Sequence, residues 1–357
     1  MSSEVSSQWQ GRLAITGMGL VTPVGLQANA ALAALRAGVS RIEALPGTAI
    51  AISDTETEAI RGAQVHRLTD GLMGQSRNAA MMKPALAECL QDADINPAMK
   101  LGLFLGTSGS NPNDRILNYD DQVKKDLLKC IPEGQTLSLA RLIPAGRTSV
   151  LEAIRHAAQE LDQGTIDIAV VGGSDSLVTP RTLKWLLEQG KLPEHPRHTG
   201  TIPGEGAGFL ALERPEQANT RGTISYSTIT ASAGEVESAQ WGEANNGVAL
   251  ARAIRKVSAG VEDAHALVLS DLDGERYRAM EWAMAEPKGM WKYSTIDHWH
   301  PADCLGDAGA AMGALLLAWG SVALAKQYSR TQRVLIWGAA DGGSREAVML
   351  ETNGVAP

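Results

Sequence analysis

Cys304 stands close to His298 and His300 in the stretch HWHPADC, and a thiol beside an imidazole is the arrangement that acyl transfer through a covalent thioester requires. The same cysteine opens a small-residue helical stretch, where a buried thiol packed against its neighbours is the commoner use. His298 and His300 are metal-capable, but alternate residues of an extended segment with no third ligand nearby do not make a metal site. DLDGE (271–275) opens like a calcium loop and then runs into Arg276 and Arg278 where ligands are needed, so a capped turn with surface ion pairs accounts for it. Ser149, Ser174 and Ser176 lie near turns, yet the G-x-S-x-G elbow of a hydrolase is absent. GMGLVTPVG and GEGAG lack the strand, spacing and acidic residue of a dinucleotide site, and their glycines read as close packing. No cofactor and no metal is expected.

These groups must be held by a chain of 357 residues that is 44% hydrophobic, enough for a substantial core. A net charge of -8, from 32 basic and 40 acidic residues, disfavours nucleic acid and anionic membrane as partners. Three widely spaced cysteines (Cys89, Cys130, Cys304) form no disulfide framework and no zinc motif. The opening MSSEVSSQWQGR has no export pattern, and no run of about 18 apolar residues occurs, so a cytoplasmic protein without membrane spans is expected.

Strand, glycine turn and helix succeed one another from the start: RLAITGMGLVTPVG, then NAALAALRAG. Residues 77–93 predict a helix that Pro84 kinks or delays. LGLFLGTSGS, IDIAVVGG and GAGFLALE read as strands of a first half. TISYSTITASAG, ALVLSDLDG, RVLIWGAADGG and AVMLE read as strands of a second. Between them, 111–135 reads as a partly helical connector. IDIAVVGGSDS followed by GFLALE parallels RVLIWGAADGG followed by AVMLE, so the chain reads as a duplication, 1–217 and 218–357. Ala308–Ala325 is apolar all round and predicts a buried middle helix. Trp282, Trp291, Trp299, Trp319 and Trp337 read as core and interface anchors.

Five of these segments, RLAITGMGLVTPVG, DIAVVGGSDSLV, IPGEGAGFLALE, LGDAGAAMGALLLA and ADGGSREAVML, together resemble the β-ketoacyl synthases of the thiolase superfamily, in family order from residue 12 to 351. The resemblance implies a duplicated α/β fold, αβαβα, with two mixed five-stranded sheets. It implies a cysteine at the start of a buried helix as nucleophile and two histidines that support decarboxylation. Carried onto this chain, the cysteine position is Arg147, with Ser149 two residues later. The histidine positions are Asp273 and Asp303, and the residue before Gly342-Gly343, often a phenylalanine gate in the family, is Asp341. Ser149, Cys304, His300, Gly342, Gly343 and Ser344 would line what remains of the pocket.

An arginine is permanently charged and no nucleophile. Buried beside Asp273 and Asp303 it is expected to form a neutralising cluster. The function implied is that of a catalytically inactive ketosynthase-like protein that works by binding. It would pair as a homodimer or heterodimer through the strand near 166–173, with a synthase subunit or a type VI secretion effector as partner and with acyl carrier protein or acyl-CoA as a ligand. The alternative is an active acyltransferase or β-ketoacyl synthase-type enzyme using Cys304.

Overall fold

A computed structural model describes residues 7–51, 56–108, 125–126, 128–193, 199–239 and 242–353. Most of the connector at 111–135 lies outside the described residues. Strand β1 (Gln8–Val21) grows from the continuous apolar run LAITGMGLV, which is buried on both faces. In the first half it is followed by β2 (Leu101–Gly106), β3 (Leu137–Ile143), β4 (Ile168–Ser176) and β5 (Glu205–Glu213). The second half contributes β6 (Ser227–Val236), β7 (His265–Ser270), β8 (Thr295–Trp299), β9 (Arg333–Ala339) and β10 (Ser344–Glu351). Four two-residue strands between Glu43 and Gly62 pair into two small ribbons apart from this sheet.

The spatial order is 3-2-4-5-1 in the first half and 8-7-9-10-6 in the second, the same order twice, with the same alternation of parallel and antiparallel pairs. Two separate sheets were expected, and one ten-stranded sheet is found. The cause is the length of β1. Its first part, Gln8–Ile15, pairs with β6, while Ala14–Val21 pairs with β5. The boundary drawn at 217/218 falls inside the short helix α5 that joins the halves.

The helices are α1 (Ala28–Arg36), α2 (Gly74–Asp92), α3 (Ser149–Asp162), α4 (Pro180–Glu188), α5 (Pro215–Arg221), α6 (Val248–Val257), α7 (Arg276–Gly289), α8 (Ala302–Leu305) and α9 (Met312–Ala325). Helices α3 and α9 touch strands of both halves and each other, so they form the middle layer. Every residue of α9 from Met312 to Leu324 is buried. Helix α2 covers the outer side of β1, β4 and β5, and α6, with α7 against it, covers β6, β9 and β10. Helix α2 runs from Gly74 to Asp92 with Pro84 inside it, so the helix does not wait for Pro84 to start. Burial of Met81, Met82, Ala85, Leu86 and Cys89 against the sheet holds it together despite the missing N–H.

Strand β4 is interior, with β2 on one edge and β5 on the other. The expected pairing of subunits through 166–173 therefore has no free strand edge there. The first half's free edge is β3, which pairs only with β2 among the described residues. No helix of the described residues is long and apolar enough to cross a membrane.

Candidate functional site: a buried ion-pair chain

Arg147 lies in the 3-10 turn Gly146–Thr148 that leads into α3. A cation there faces the positive end of the helix dipole and is buried as well, two costs that carboxylates must offset. Its guanidinium is 2.7 Å from Asp273 and 2.5 Å from Asp307, both fully buried. Arg278, from the first turn of α7, continues the chain with 3.6 Å to Asp273 and 2.5 Å to Asp271, and it donates to the carbonyls of Asp271 and Ala339. The charges thus alternate: Asp307, Arg147, Asp273, Arg278, Asp271. Beside them Lys191 lies 2.8 Å from Asp341 and 3.7 Å from Glu275.

The carboxylates and Arg147 come from the segments after β7 and β9, the start of α3 and the turn before α9, where ligands bind in open α/β sheets, while Arg278 reaches in from the first turn of α7 and Lys191 from the segment after α4. The glycine-rich motif before β5 positions one of them. Gly204 donates its N–H to the Asp307 carbonyl at 2.9 Å, and the Asp307 N–H reaches the Ile202 carbonyl at 2.7 Å. A Cβ on Gly204 would stand 2.2 Å from the Leu305 carbonyl, so only glycine fits. Glu205 of the same motif is buried and satisfied by Arg77, Thr69, Ser176 and the Val65 N–H.

Burial alone would raise the Asp273 carboxyl. Arg147, then Arg278, with hydrogen bonds from the Thr201 hydroxyl at 2.8 Å and the Glu275 N–H at 3.1 Å, outweigh it and hold Asp273 at about 2. Asp307 is pushed up to about 6, by burial first, with Asp273 adding to it and Arg147 opposing. For Arg147 burial works against the charge, but Asp273 and Asp307, then Asp341 and Asp271, keep it protonated well above the ordinary arginine value.

Asp303 is not part of this chain. Its side chain is 71% exposed and bonded to His300 at 2.7 Å, and Asp307 stands in the place expected for it. The cause is Gly306, whose φ of 68° turns the chain after α8, so that Asp303 stays on the outer side while Asp307 points inward. DLDGE is a correction of the same kind. Asp271 and Glu275 join the expected Asp273 as buried members of the network, where surface ion pairs were expected of them. Asp307, Asp271, Arg278, Lys191 and Glu275 were missed. The signals were the alternation of DLD at a strand end and the aspartate of LGDAGAA directly before the middle helix.

Ser149 is buried against Gly106, and its hydroxyl has no hydrogen-bond partner among the described residues. Gly342 and Gly343 lie in the turn from β9 to β10, beside Asp341, and Ser344 begins β10. Cys304 is 7% exposed in the apolar core, and burial first, then Asp303, raise its thiol. Neither histidine serves it. His298 bonds the Ser270 hydroxyl at 2.7 Å and packs 4.9 Å from Trp282, with burial and then His300 lowering it to about 4. His300 is engaged by Asp303, whose hydrogen bond raises it. No group of three or more metal-capable side chains occurs among the described residues.

Of this network, Arg147, Lys191 and the Gly204–Glu205 motif lie in the part of the chain that matches a family pattern. Residues 10–218 match the family model described as β-ketoacyl synthase, N-terminal domain. The chain belongs to the β-ketoacyl synthase family. Nodulation protein E of Rhizobium meliloti (strain 1021) is 27% identical over 59% of this chain and 60% of its own length. The chain spans between 24% and 61% of the first curated relatives it matches. Among solved structures, a type II polyketide ketosynthase in complex with its acyl-carrier protein aligns with a TM-score of 0.77 at 16% identity, covering 97% of this chain and 100% of that one. The ishigamide ketosynthase/chain length factor aligns with a TM-score of 0.76 at 18% identity, covering 97% of this chain and 100% of that chain. The fold is thiolase-like.

Proposed function

We propose that this member of the β-ketoacyl synthase family is catalytically inactive and acts by binding, as an accessory or partner subunit. The observation that carries the reading is Arg147, placed at the start of α3 and ion-paired to Asp273 and Asp307. If Arg147 stands at the nucleophile position and Asp273 and Asp307 at the two histidine positions, no group there can attack an acyl carbon. Ionised carboxylates would also repel the enolate that decarboxylation forms. Asp341 would occupy the gate position, tied to Lys191.

The partner is a second ketosynthase-fold subunit, identical or not, added at the open edge of β3. The likeness to a ketosynthase/chain length factor supports this over a secretion effector. Acyl carrier protein or acyl-CoA is the ligand class, supported by the complex of that type II ketosynthase with its carrier protein.

The test is incubation with acyl-CoA and with acylated carrier protein, followed by intact mass, alongside a malonyl decarboxylation assay. No adduct and no decarboxylation are expected. A stable acyl adduct on Cys304 would overturn the reading in favour of an acyltransferase.

A further inference from the structure

Helix α7 has an outward face unlike that of an ordinary surface helix. Its exposed positions are Arg276, Ala279, Met280, Ala283, Met284 and Pro287, with one charge among them. Met280 is 54% exposed and Met284 49%, one turn apart on the same face, and Trp291, just beyond the helix, is 75% exposed. The opposite face is already spent: Trp282 and Ala285 pack into the core with Leu250, Ile254 and Trp337. An apolar stripe left on the outer face of a helix whose other face is already packed expects cover, and exposed methionines beside a tryptophan suit an interface more than solvent.

The rim of this face is basic. Arg252 and Arg255 are the exposed charges of α6, packed alongside α7, and Arg276 stands at the start of α7. None of the three pairs with a carboxylate among the described residues, in a chain whose net charge is -8. Arg255 donates to the Lys288 carbonyl at 3.2 Å, and Lys288 to the Asn246 carbonyl at 2.5 Å, so these cations are held in place rather than waving in water.

We propose that the outer face of α7, with the basic rim of α6, docks an acidic amphipathic helix of a protein partner. Its apolar stripe would cover Met280, Met284 and Trp291, and its carboxylates would meet Arg252, Arg255 and Arg276. A second copy of this chain is a poor occupant, because the exposed positions of α6 and α7 offer no acid to face the same three arginines. The Arg255 guanidinium, held by the Lys288 carbonyl, favours the directional pairing of a carboxylate over the diffuse charge of a lipid surface. The inference does not rest on the loss of catalysis, and this surface is separate from the β3 edge.

The experiment uses the full chain and synthetic peptides. One is an amphipathic helix of leucine and glutamate; a second has lysine for glutamate; a third keeps the composition with the leucines scrambled. Fluorescence anisotropy of labelled peptide should show the glutamate helix binding at least about ten-fold more tightly than either control. The exposed double variant M280S/M284S, with unchanged melting temperature, should lose about ten-fold, as should R252E/R255E, and affinity should fall as salt rises. Equal binding of the lysine peptide, or undiminished binding by M280S/M284S, overturns the proposal. So does dimerisation of the wild type that the methionine variant abolishes in sedimentation velocity, or tighter binding to phosphatidylglycerol vesicles than to the glutamate peptide.

Discussion

The guanidinium of Arg147 lies 2.7 Å from the carboxylate of Asp273, joining the start of α3 in the first half of the chain to the loop after β7 in the second. The contact is buried, with the Asp273 side chain at zero exposure, and Asp307 closes on the other side at 2.5 Å.

Breaking that contact from one side is therefore costly. Arg147→Met keeps the bulk but leaves two buried carboxylates facing each other, and urea denaturation should show a loss of about 3–5 kcal/mol. Adding Asp273→Asn and Asp307→Asn to it should recover much of that loss. A triple variant as unstable as the single would show that the ion pairs are not the cause.

The two aspartates also set opposite pH dependences. Asp307 rises from an ordinary 3.8 to about 6, so the folded chain holds more protons than the unfolded one between those values, and its contribution to stability declines as pH rises through the window. Asp273, held at about 2, contributes stability that is present above 3.8 and lost as pH falls toward 2. Unfolding free energies at a series of pH values from 4 to 7 should be flatter for Asp307→Asn than for the wild type, and parallel curves would contradict the assignment.

Cys304 should behave as an inert core thiol. Iodoacetamide at neutral pH should leave Cys304 and Cys89 unmodified in the native protein, and both should react once the chain is unfolded in urea. Rapid native labelling of Cys304 would revive the covalent alternative.

Gly204→Ala places a methyl group 2.2 Å from the Leu305 carbonyl. The turn carrying Asp307 must move away to admit it, at a cost of about 1–3 kcal/mol in a well-packed interior. Thermal melting checks the sign. An unchanged melting temperature would mean that this turn is softer than its contacts indicate.

The strands, their duplication and the middle helix were legible because their signals are continuous: apolar runs ending in glycine, and a stretch of 308–325 with no polar face. Arg147 and Asp273 were legible too, because the family resemblance let each be counted from such an element. Asp303 and Asp307 were not separable by counting. Both lie in ADCLGDAG, and which one points inward depends on the positive φ at Gly306, a backbone choice with no periodic signature. Arg278 was missed although its partners Asp271 and Asp273 are near neighbours, because the whole stretch read as an exposed turn. Lys191 was missed for the opposite reason: its partners are remote in sequence, and nothing local marks a cation that will be buried against a distant carboxylate. The single ten-stranded sheet was hidden for a similar reason, since the polar leader QWQG carries no apolar alternation to announce that it continues β1 toward β6.

That continuation shapes how the chain must be made. Strand β1 leaves the ribosome well before β6, and the edge formed by Gln8–Ile15 is completed only by Ser227–Ala233, more than 200 residues later. Until then the nascent first half carries an unsatisfied strand edge beside a strongly apolar sequence, the kind of surface that holdase chaperones retain and that pairs wrongly with neighbouring nascent chains. Yield on expression should accordingly be governed by the rate at which the second half is translated, more than by the stability of the finished molecule.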